Sequence, residues 1–228
     1  MRKLSVEQKQ ILLDKLLESI SDHKQALFNQ NIKNRTRHLT VVIEDIFQSH
    51  NASAVLRSAD CFGIQDVHII ENRNEYNINP DVALGSSKWI QLHKYNSFEN
   101  NTAAAFEKLR EEGYQIVATT PHKDDIMLDE LDINKKTAIV FGTELEGLSD
   151  FAIDNADIRM KIPMYGFTES FNISVSAALS MHHLSEKLRK SDIDWSLSKE
   201  EKIEVLLNWA KSVVKSSEQI ENLLFPHS

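Results

Sequence analysis

Strand-like and helix-like segments alternate along most of this chain, and that alternation constrains the fold more than any other feature. LTVVIEDI (39–46) is a nearly uninterrupted run of β-branched and apolar residues, which is typical of a strand buried on both faces. NASAVLRSADCFG (51–63) follows with helical spacing, beginning at the capping residue Asn51 and stopping at Gly63. The alternation continues to residue 190 and predicts an α/β fold with a mainly parallel sheet.

Helices are predicted before and after this alternating body. Ser5 and Gln8 form a capping box ahead of apolar residues at helical spacing, which predicts one helix of about 20 residues. Ser198 and Glu201 form a second capping box, and the helix that it begins should reach the neighbourhood of Phe225. We therefore divide the chain into an N-terminal helical, basic extension (1–38), a body (39–190) and a C-terminal helical extension (191–228).

Composition excludes several classes of protein. Hydrophobic residues make up 41% and charged residues 26%, so the chain can build a core and is not a disordered protein. It contains no run of about 18 apolar residues and opens on a charged segment, so we expect no membrane span, no signal peptide and a cytoplasmic location. Cys61 is the one cysteine and the nine histidines lack ligand spacing, so no metal site is expected.

Charge is unevenly distributed along the chain. The formal net charge is −8, yet residues 1–38 contain eight Lys or Arg against four Asp or Glu. The basic residues are densest at KNRTRH, which contains Lys33, Arg35 and Arg37. Such a cluster on an otherwise acidic chain suits a polyanionic partner such as RNA, and it equally suits a solvated helix end.

The loop FGTELEGLS follows a strand-like run, which is the position at which open α/β sheets bind ligands. Gly142 and Gly147 have nearly the spacing of a phosphate-binding P-loop, but Leu148 replaces the required lysine. Glu144 and Glu146 would also repel phosphates, so a nucleoside triphosphate is a poor candidate. The chain also lacks a GxGxxG dinucleotide fingerprint and a Gly-x-Ser-x-Gly elbow. The loop either binds a ligand through its backbone or simply joins a strand to a helix.

Polar residues crowd the start of an otherwise apolar helix in IPMYGFTESFNISVSAALS (162–180). Helix capping explains one or two such residues, whereas the larger number indicates a lined site or a close interface. The residues concerned are Ser170, Asn172, Ser174 and Ser176. Arg57, in the earlier helical segment, would by itself be interpreted as a surface residue whose stem covers apolar atoms.

Together, these three segments resemble the SPOUT class of methyltransferases, and within it the TrmH-type RNA ribose 2′-O-methyltransferases. The first is similar to the family's motif of an Asn followed six residues later by an Arg. The second is similar to its Gly-x-Glu-x-x-Gly loop, and the third to its Ile-Pro-Met strand end followed by Ser-Leu-Asn-Val-Ser. Phe171 replaces the usual Leu, Ile173 the usual Val, and Glu169 a frequent Gln, which adds negative charge beside a site for RNA.

The resemblance implies a fold, a cofactor and an assembly. The family's α/β sheet carries a C-terminal deep trefoil knot, an exception to the rule against threaded connections. Family members are homodimers with the active site at the subunit interface, and S-adenosyl-L-methionine lies in the knot, held mostly by backbone groups of three loops. By position, the implied cofactor-binding residues are Thr119, Thr120, Gly142, Gly147, Ile162, Met164 and Phe171.

The resemblance also implies catalytic residues, with Arg57 in the central role. A guanidinium is a poor base because it stays protonated at any ordinary pH, so we favour a hypothesis in which Arg57 clamps the phosphate next to the target ribose. Asn51 and Asn172 would fix loop geometry and substrate contacts, and Glu144 would support its loop or balance the cationic cofactor. The implied catalytic set is Arg57, Asn51, Glu144, Ser170 and Asn172.

The predicted helices at both ends bear on the substrate. Relatives that act on ribosomal RNA often carry a separate globular N-terminal domain, for which residues 1–38 leave no room. The arrangement most resembles family members that methylate guanosine 18 in the tRNA D-loop, and Lys33, Arg35 and Arg37 would then contact tRNA phosphates. Methylation of another tRNA position or of ribosomal RNA is an alternative. A non-catalytic RNA-binding relative is another, although such a protein would lose the arginine and Arg57 is present.

Overall fold

The computed structural model describes residues 4–76, 83, 85–121, 125–143 and 146–226. The chain forms two compact units, of which the larger is Thr36–Trp195 and the smaller combines Met1–Arg35 with Ser196–Ser228. None of the helices in the described ranges is long and apolar enough to cross a bilayer. In chain order these helices are α1 (Val6–Leu17), α2 (Asp22–Asn31), α3 (Ser49–Cys61), α4 (Asn101–Glu111), α5 (Asp150–Asp154), α6 (Ile173–Arg189), α7 (Lys199–Val213) and α8 (Ser217–Leu224).

The larger unit is built on a parallel sheet. In chain order its strands are β1 (Leu39–Glu44), β2 (Asp66–Ile70), β3 (Gln91–Tyr95), β4 (Tyr114–Thr119), β5 (Ile126–Met127), β6 (Lys136–Phe141) and β7 (Ile158–Lys161). Within the described residues they form a seven-stranded sheet in the order β3-β2-β1-β6-β4-β7-β5. The predicted α/β fold with a parallel sheet is confirmed, and the knot stays a prediction. Neither β5 nor α5 is predicted from the sequence, because such short elements carry no periodic pattern.

Both faces of the sheet are covered by apolar side chains, which explains the uninterrupted apolar run of β1. Leu39, Val41 and Ile43 pack in one core with residues of α3 and α6. Val42 belongs to a second core, which includes residues of α4 and α5. Because successive strand residues face opposite sides of a sheet, a strand covered on both faces needs apolar residues at nearly every position.

Helices α3 and α6 pack against each other on the same face of the sheet. Val55 and Leu56 of α3 lie in one buried cluster with Met181 and Leu184 of α6. Met181 and Leu184 are three positions apart and therefore lie on one side of α6, which faces the shared core. The packing brings the first and third sequence motifs together, because one lies on α3 and the other runs into α6.

The carboxyl ends of β6, β4 and β7 lie side by side. Strand β4 pairs with β6 on one side and with β7 on the other, so that Ala118 is opposite Val140 and Thr119 is opposite Met160. Strands β2 and β3 lie on one side of β1, and the later strands lie on its other side, where β6 is the neighbour of β1. Open parallel sheets bind ligands outside the carboxyl ends of their strands near such a switch point. The loops after β4, β6 and β7 are those in which cofactor-binding residues are predicted.

Capping boxes begin α1 and α7 in the smaller unit, as the sequence predicts. The Ser5 hydroxyl accepts a hydrogen bond from the Gln8 N–H at 3.2 Å, and the Gln8 side chain accepts one from the Ser5 N–H at 2.9 Å. Ser198 and Glu201 make the same reciprocal pair at 3.2 and 2.7 Å. Each box satisfies two backbone N–H groups that would otherwise have no partner at the helix start.

The prediction of a single helix at each end of the chain is wrong, because each is interrupted once. After α1, the Gln25 side chain donates hydrogen bonds to the carbonyl oxygens of Leu17 and Ile20 at 2.9 and 2.8 Å. These bonds satisfy carbonyl groups that the break leaves without helical partners. After α7, Val214 adopts extended backbone angles (φ −94°, ψ 104°), and α8 begins as a separate helix.

Candidate active site

A cleft of about 370 Å³ opens at the carboxyl ends of β4, β6 and β7. Small-molecule sites typically measure about 300–1,000 Å³. Three loops that are distant in sequence meet around this one cavity. The residues that line it include all the predicted cofactor-binding residues, Thr119, Thr120, Gly142, Gly147, Ile162, Met164 and Phe171, together with Ser170 from the predicted catalytic set.

The end of β4 forms the first wall of the cleft. Thr119 Oγ1 donates a hydrogen bond to the Val140 carbonyl oxygen at 2.8 Å, and the Thr120 N–H donates one to the Met160 carbonyl oxygen at 2.9 Å. The Thr120 hydroxyl also donates to the carboxylate of Asp125. The Thr119 hydroxyl and the Thr120 N–H therefore hold the strand end against β6 and β7, and the Thr120 hydroxyl holds the loop that follows. A ligand at this wall would meet backbone that is fixed in place.

The loop after β6 forms the second wall, and its geometry requires both glycines. The backbones of Thr143 and Gly147 exchange two hydrogen bonds, at 2.8 and 3.1 Å. Gly147 has a φ of +73°, in the left-handed region that favours glycine. A Cβ atom on Gly142 would overlap the backbone of Gly147 and Leu148. The predicted catalytic residue Glu144, in the same loop, lies outside the described residues.

The segment between β7 and α6 forms the third wall, and apolar residues form the floor. Side chains lining the third wall are Ile162, Met164, Glu169, Ser170 and Phe171. The floor residues are not singled out by the sequence analysis, and they are Phe141, Leu148, Ile153, Met160 and Ile173. Phe141 ends a buried strand and Ile173 begins a helix. Apolar residues at such positions are the sequence feature that could have identified the floor. The cleft therefore combines a backbone-rich rim with an apolar interior.

Asn51 and Asn172 join the first and third motifs beside the cleft. Asn172 Nδ2 donates a hydrogen bond to Asn51 Oδ1 at 3.3 Å, and Asn51 Nδ2 donates one to the Gln48 side chain at 3.2 Å. Asn172 also caps α6, because its Oδ1 accepts from the Ser174 N–H at 2.8 Å and from the Ser174 hydroxyl at 2.6 Å. Asn51 is buried and Asn172 is exposed, so the hydrogen bond links the two motifs at the surface of the molecule.

Arg57 lies on α3, six residues after Asn51, with its side chain exposed. Six residues of helix advance the chain by about 9 Å, so Arg57 is well separated from the asparagine pair along the helix axis. Within the part of the chain that is described, its guanidinium makes no hydrogen bond or ion pair. Arg57, Asn51 and Asn172 are not among the residues that line the cleft of the single chain.

Residues 38–182 match the sequence model of the SpoU rRNA Methylase family. The chain belongs to this family. The matched range contains all three motifs and every strand of the sheet, from β1 to β7. The resemblance drawn from the three motifs is therefore confirmed.

Individual SpoU family proteins are similar over most of the chain. The tRNA (guanosine(18)-2′-O)-methyltransferase of Borreliella burgdorferi is 48% identical over 209 residues, which is 92% of this chain and 94% of the relative. The crystal structure of the A. aeolicus TrmH/SpoU tRNA modifying enzyme superposes with a TM-score of 0.74 at 27% identity, covering 90% of this chain and 99% of that one. The SpoU methyltransferase AviRb from Streptomyces viridochromogenes, solved in complex with AdoMet, shares the fold with a TM-score of 0.60 at 22% identity, covering 71% of this chain and 65% of that one.

The predicted RNA-binding residues of this SpoU family member occupy three different environments. Lys33 is exposed. Arg35 is buried, and its guanidinium carbon lies 5.3 Å from the ring centroid of Trp209, in a cation–π contact. Arg37 is half-buried and donates a hydrogen bond from Nε to Asp66 at 2.8 Å. Of the three, Lys33 alone has its charge exposed without a described ion pair.

A salt bridge not anticipated from the sequence supports the glycine loop. Arg73 Nη2 lies 2.8 Å from a carboxylate oxygen of Glu146, which lines the cleft, and Arg73 Nε lies 3.6 Å from Asp45. Asp45 also accepts the backbone N–H groups of Asn72 and Arg73 at 2.7 and 2.8 Å. The loop after β2 is thereby held beside the loop after β6. Among the described residues, no group of three or more His, Cys, Asp or Glu side chains could hold a metal ion.

Proposed function

We propose that this SpoU family protein transfers a methyl group from S-adenosyl-L-methionine to the ribose 2′-hydroxyl of guanosine 18 in the D-loop of tRNA. The observation that carries the proposal is the meeting of three loops around one cleft, two of which contain the second and third motifs, while the Asn51–Asn172 bond joins the first motif to the third. The relative that is 48% identical is named for that reaction, and the similarity extends over nearly the whole of both chains. The likeness to a TrmH/SpoU tRNA modifying enzyme supports the same substrate class.

The residues around the cleft fit S-adenosylmethionine. The apolar floor suits a flat adenine ring, and the fixed backbone of three loops suits its polar edges. The backbones of Gly147 and Leu148 lie so close to Gly142 that no side chain fits at that position, so a ligand there would contact backbone. Glu146 and Glu169 add carboxylates at the rim, where they favour a cationic ligand. When bound, the cofactor supplies a methyl group from its sulfonium, and the sulfur then leaves as a neutral thioether.

The residues of this chain would act mainly by placing the ribose. Because Arg57 is exposed and unpaired in the described residues, its guanidinium is available to hold a phosphate of the RNA in a bidentate contact. That contact would orient the neighbouring 2′-oxygen for in-line attack, with the hydroxyl proton released to water. Asn172 would hold Ser170, two residues earlier in the chain, at the cleft wall, and Asn51 would hold Asn172. We propose Glu144 as a further catalytic residue in the loop after β6.

We also propose that the active enzyme is a homodimer with the active site at the subunit interface. Val175 and Leu179 are 44% and 42% exposed and lie four residues apart on α6, so they form an apolar strip that a second subunit could cover. Arg57 does not line the cleft of its own chain, which favours a role at the cleft of the partner. Each subunit would contain the knot that the family resemblance implies.

The remaining assignments follow from the same proposal. Residues 39–190 would form the methyltransferase domain, with residues 1–38 and 191–228 as helical extensions. Lys33 would contact the tRNA backbone, whereas Arg35 and Arg37 would support the segment through Trp209 and Asp66. Because tRNA is the proposed substrate, we also propose a cytoplasmic location.

Nucleoside mass spectrometry tests the reaction directly. The purified protein is incubated with S-adenosylmethionine and an unmodified tRNA transcript, and the digested product should contain 2′-O-methylguanosine at position 18. A transcript with 2′-deoxyguanosine at that position is the matched control and should gain no methyl group. Modification at another position would contradict the assignment of guanosine 18. In tRNA from a strain that lacks the gene, the same nucleoside should be missing.

Mixed dimers test the shared active site. Arg57→Ala chains and Asn172→Ala chains, each inactive alone, are co-expressed with different tags and purified as the heterodimer. If each site takes Arg57 from one chain and the cleft from the other, one of the two sites is intact and about half the activity returns. Heterodimers as inactive as the parent variants would contradict the shared site.

A further inference from the structure

Two large aromatic side chains are almost fully exposed beside the cleft. Tyr165 has a relative exposure of 96% and Phe167 of 107%. Gly166 lies between them in open space, because a Cβ atom there would come no closer than 3.9 Å to the Thr168 nitrogen. Within the described residues, neither aromatic side chain makes a hydrogen bond or a ring contact. The chain therefore presents both rings to solvent, although large apolar side chains are usually buried.

The position of these rings is determined by the residues on either side of them. Met164 precedes Tyr165 and lines the cleft, and Glu169 and Ser170 follow Phe167 and line it as well. The segment between Lys161 and Ile173 has no regular secondary structure, so the chain leaves the cleft wall at Met164 and returns to it at Glu169. The two aromatic residues consequently lie beside the cleft, directly joined to residues of its third wall.

We infer that Tyr165 and Phe167 form a stacking platform for unpaired RNA bases that flank the methylated ribose, an inference that rests on the proposed function. A ribose in a folded RNA reaches a cleft only when its nucleotide is turned out of the surrounding stack. The exposed bases then lose their stacking partners, and aromatic side chains replace those partners. Stacking needs no base-specific hydrogen bonds, so the platform would accept any bases next to the target.

The two rings suit RNA bases better than a second copy of this chain. The exposed apolar residues of α6, Val175 and Leu179, are aliphatic and lie on one side of a regular helix, as a helix–helix contact requires. Tyr165 and Phe167 are planar and lie on an irregular segment, with Gly166 between them. Exposed ring faces of this kind match flat bases. Because the segment is continuous with the cleft wall, the rings would lie beside the reacting ribose.

Substitution of both rings tests the platform. In the double variant Tyr165→Ala/Phe167→Ala, the KM for tRNA should rise at least ~10-fold, as expected when base stacking is removed. The Kd for S-adenosylmethionine, measured by calorimetry, should stay within ~2-fold, because the cleft walls are unchanged. Tyr165→Phe keeps the ring and should behave as the parent. Phe98→Ala removes another exposed ring, from the loop after β3, and is the matched control, expected to leave the KM for tRNA unchanged.

The outcomes separate this inference from the proposed function. A parent protein that methylates tRNA and a double variant with the same KM would overturn the platform and leave the proposed reaction intact. A parent that methylates no tRNA would overturn both. A double variant whose mass in light scattering falls to that of a monomer, while the parent is a dimer, would assign the rings to the subunit contact and overturn the platform.

Discussion

Asn51 and Asn172 are hydrogen-bonded to each other at 3.3 Å, although 121 residues separate them in the chain. One residue lies in the first turn of α3 and the other caps α6, and both helices cover the same face of the sheet. The bond connects the end of the third cleft wall to the helix that carries Arg57. A single amide pair therefore links the proposed cofactor cleft to the proposed RNA contact.

Asn172→Ala should lower the free energy of unfolding by about 1–2 kcal/mol, because it removes a helix cap and the bond to Asn51. Urea unfolding of Asn51→Ala, Asn172→Ala and the double variant measures the coupling, which should be about 0.5–1.5 kcal/mol. Asn100→Ala is the matched control, since Asn100 caps α4 through the Ala103 N–H at 2.9 Å. Asn100→Ala should lower the free energy of unfolding and leave methyl transfer unchanged. Strictly additive effects of Asn51→Ala and Asn172→Ala would contradict the link.

Arg57→Ala should leave the affinity for S-adenosylmethionine nearly unchanged and lower the turnover of tRNA at least ~100-fold. The reason is that the proposed contact of Arg57 is with the RNA phosphate and not with the cofactor. Calorimetry and single-turnover methylation measure the two quantities separately. Arg57→Lys should recover little activity, because an ammonium cannot reproduce the bidentate contact. A fully active lysine variant would argue against the phosphate clamp.

Gly142→Ala should abolish cofactor binding, because the added Cβ atom would overlap the backbone of Gly147 and Leu148 and force the loop open. Gly166→Ala is the matched control at the rim of the same cleft, where an added Cβ meets open space. Calorimetric titration with S-adenosylmethionine should show no binding for the first variant and parental binding for the second. Parental affinity in Gly142→Ala would show that the loop opens without affecting the site.

Arg73→Ala should weaken S-adenosylmethionine binding by a modest factor, about 2- to 5-fold, because the Arg73–Glu146 pair is largely exposed and such pairs contribute about 0–1 kcal/mol. Its effect would be indirect, through the position of the loop after β6. Lys190→Ala is the control, since it breaks an exposed pair with Glu186 at the end of α6. Calorimetry at low and high salt should show the difference shrinking as the pair is screened. Equal salt dependence in the parent and the Arg73 variant would contradict this role.

The stability of the protein should fall on mild acidification because of His68. Burial, followed by the nearby positive charge of His93, lowers the pKa of His68 to about 3. In the unfolded chain His68 binds a proton below its ordinary pKa of about 6.5, whereas in the folded chain it does not. The contribution of neutral His68 to the free energy of unfolding is therefore fully present above about pH 6.5. It is lost as the pH falls from about 6.5 towards 3, by up to about 1.4 kcal/mol per pH unit.

Urea unfolding at about pH 7.5 and about pH 5 measures this dependence in the parent and in His68→Phe. The variant should be less stable at the higher pH, because it leaves the Tyr95 hydroxyl, 3.0 Å from His68 Nδ1, without that partner. Its stability should nevertheless change less between the two conditions. His50→Phe alters an exposed histidine and is the control, expected to keep the parental slope. A parental slope in His68→Phe would assign the acid sensitivity to other groups.

Local sequence was sufficient for the features that depend on near neighbours. The apolar run of β1 predicts a doubly covered strand because both faces of that strand must be apolar. Ser5 with Gln8, and Ser198 with Glu201, predict helix starts because a capping box is formed within four residues. The two glycines after β6 predict a turn from their spacing alone, but local sequence left open whether that turn binds a ligand or only joins a strand to a helix.

Tertiary structure alone decided the partners of residues that are distant in the chain. Arg35 and Arg37 belong to the same basic cluster in the sequence, yet one stacks on Trp209 and the other pairs with Asp66. The apolar floor of the cleft and the Asn51–Asn172 bond likewise depend on how the strands are ordered and how α3 packs on α6. The sequence by itself determined which segments form strands, helices and motif loops, because propensity, capping and periodicity are local. Only the folded chain determined which side chains are buried, paired or exposed, because those properties depend on contacts between segments that the sequence keeps apart.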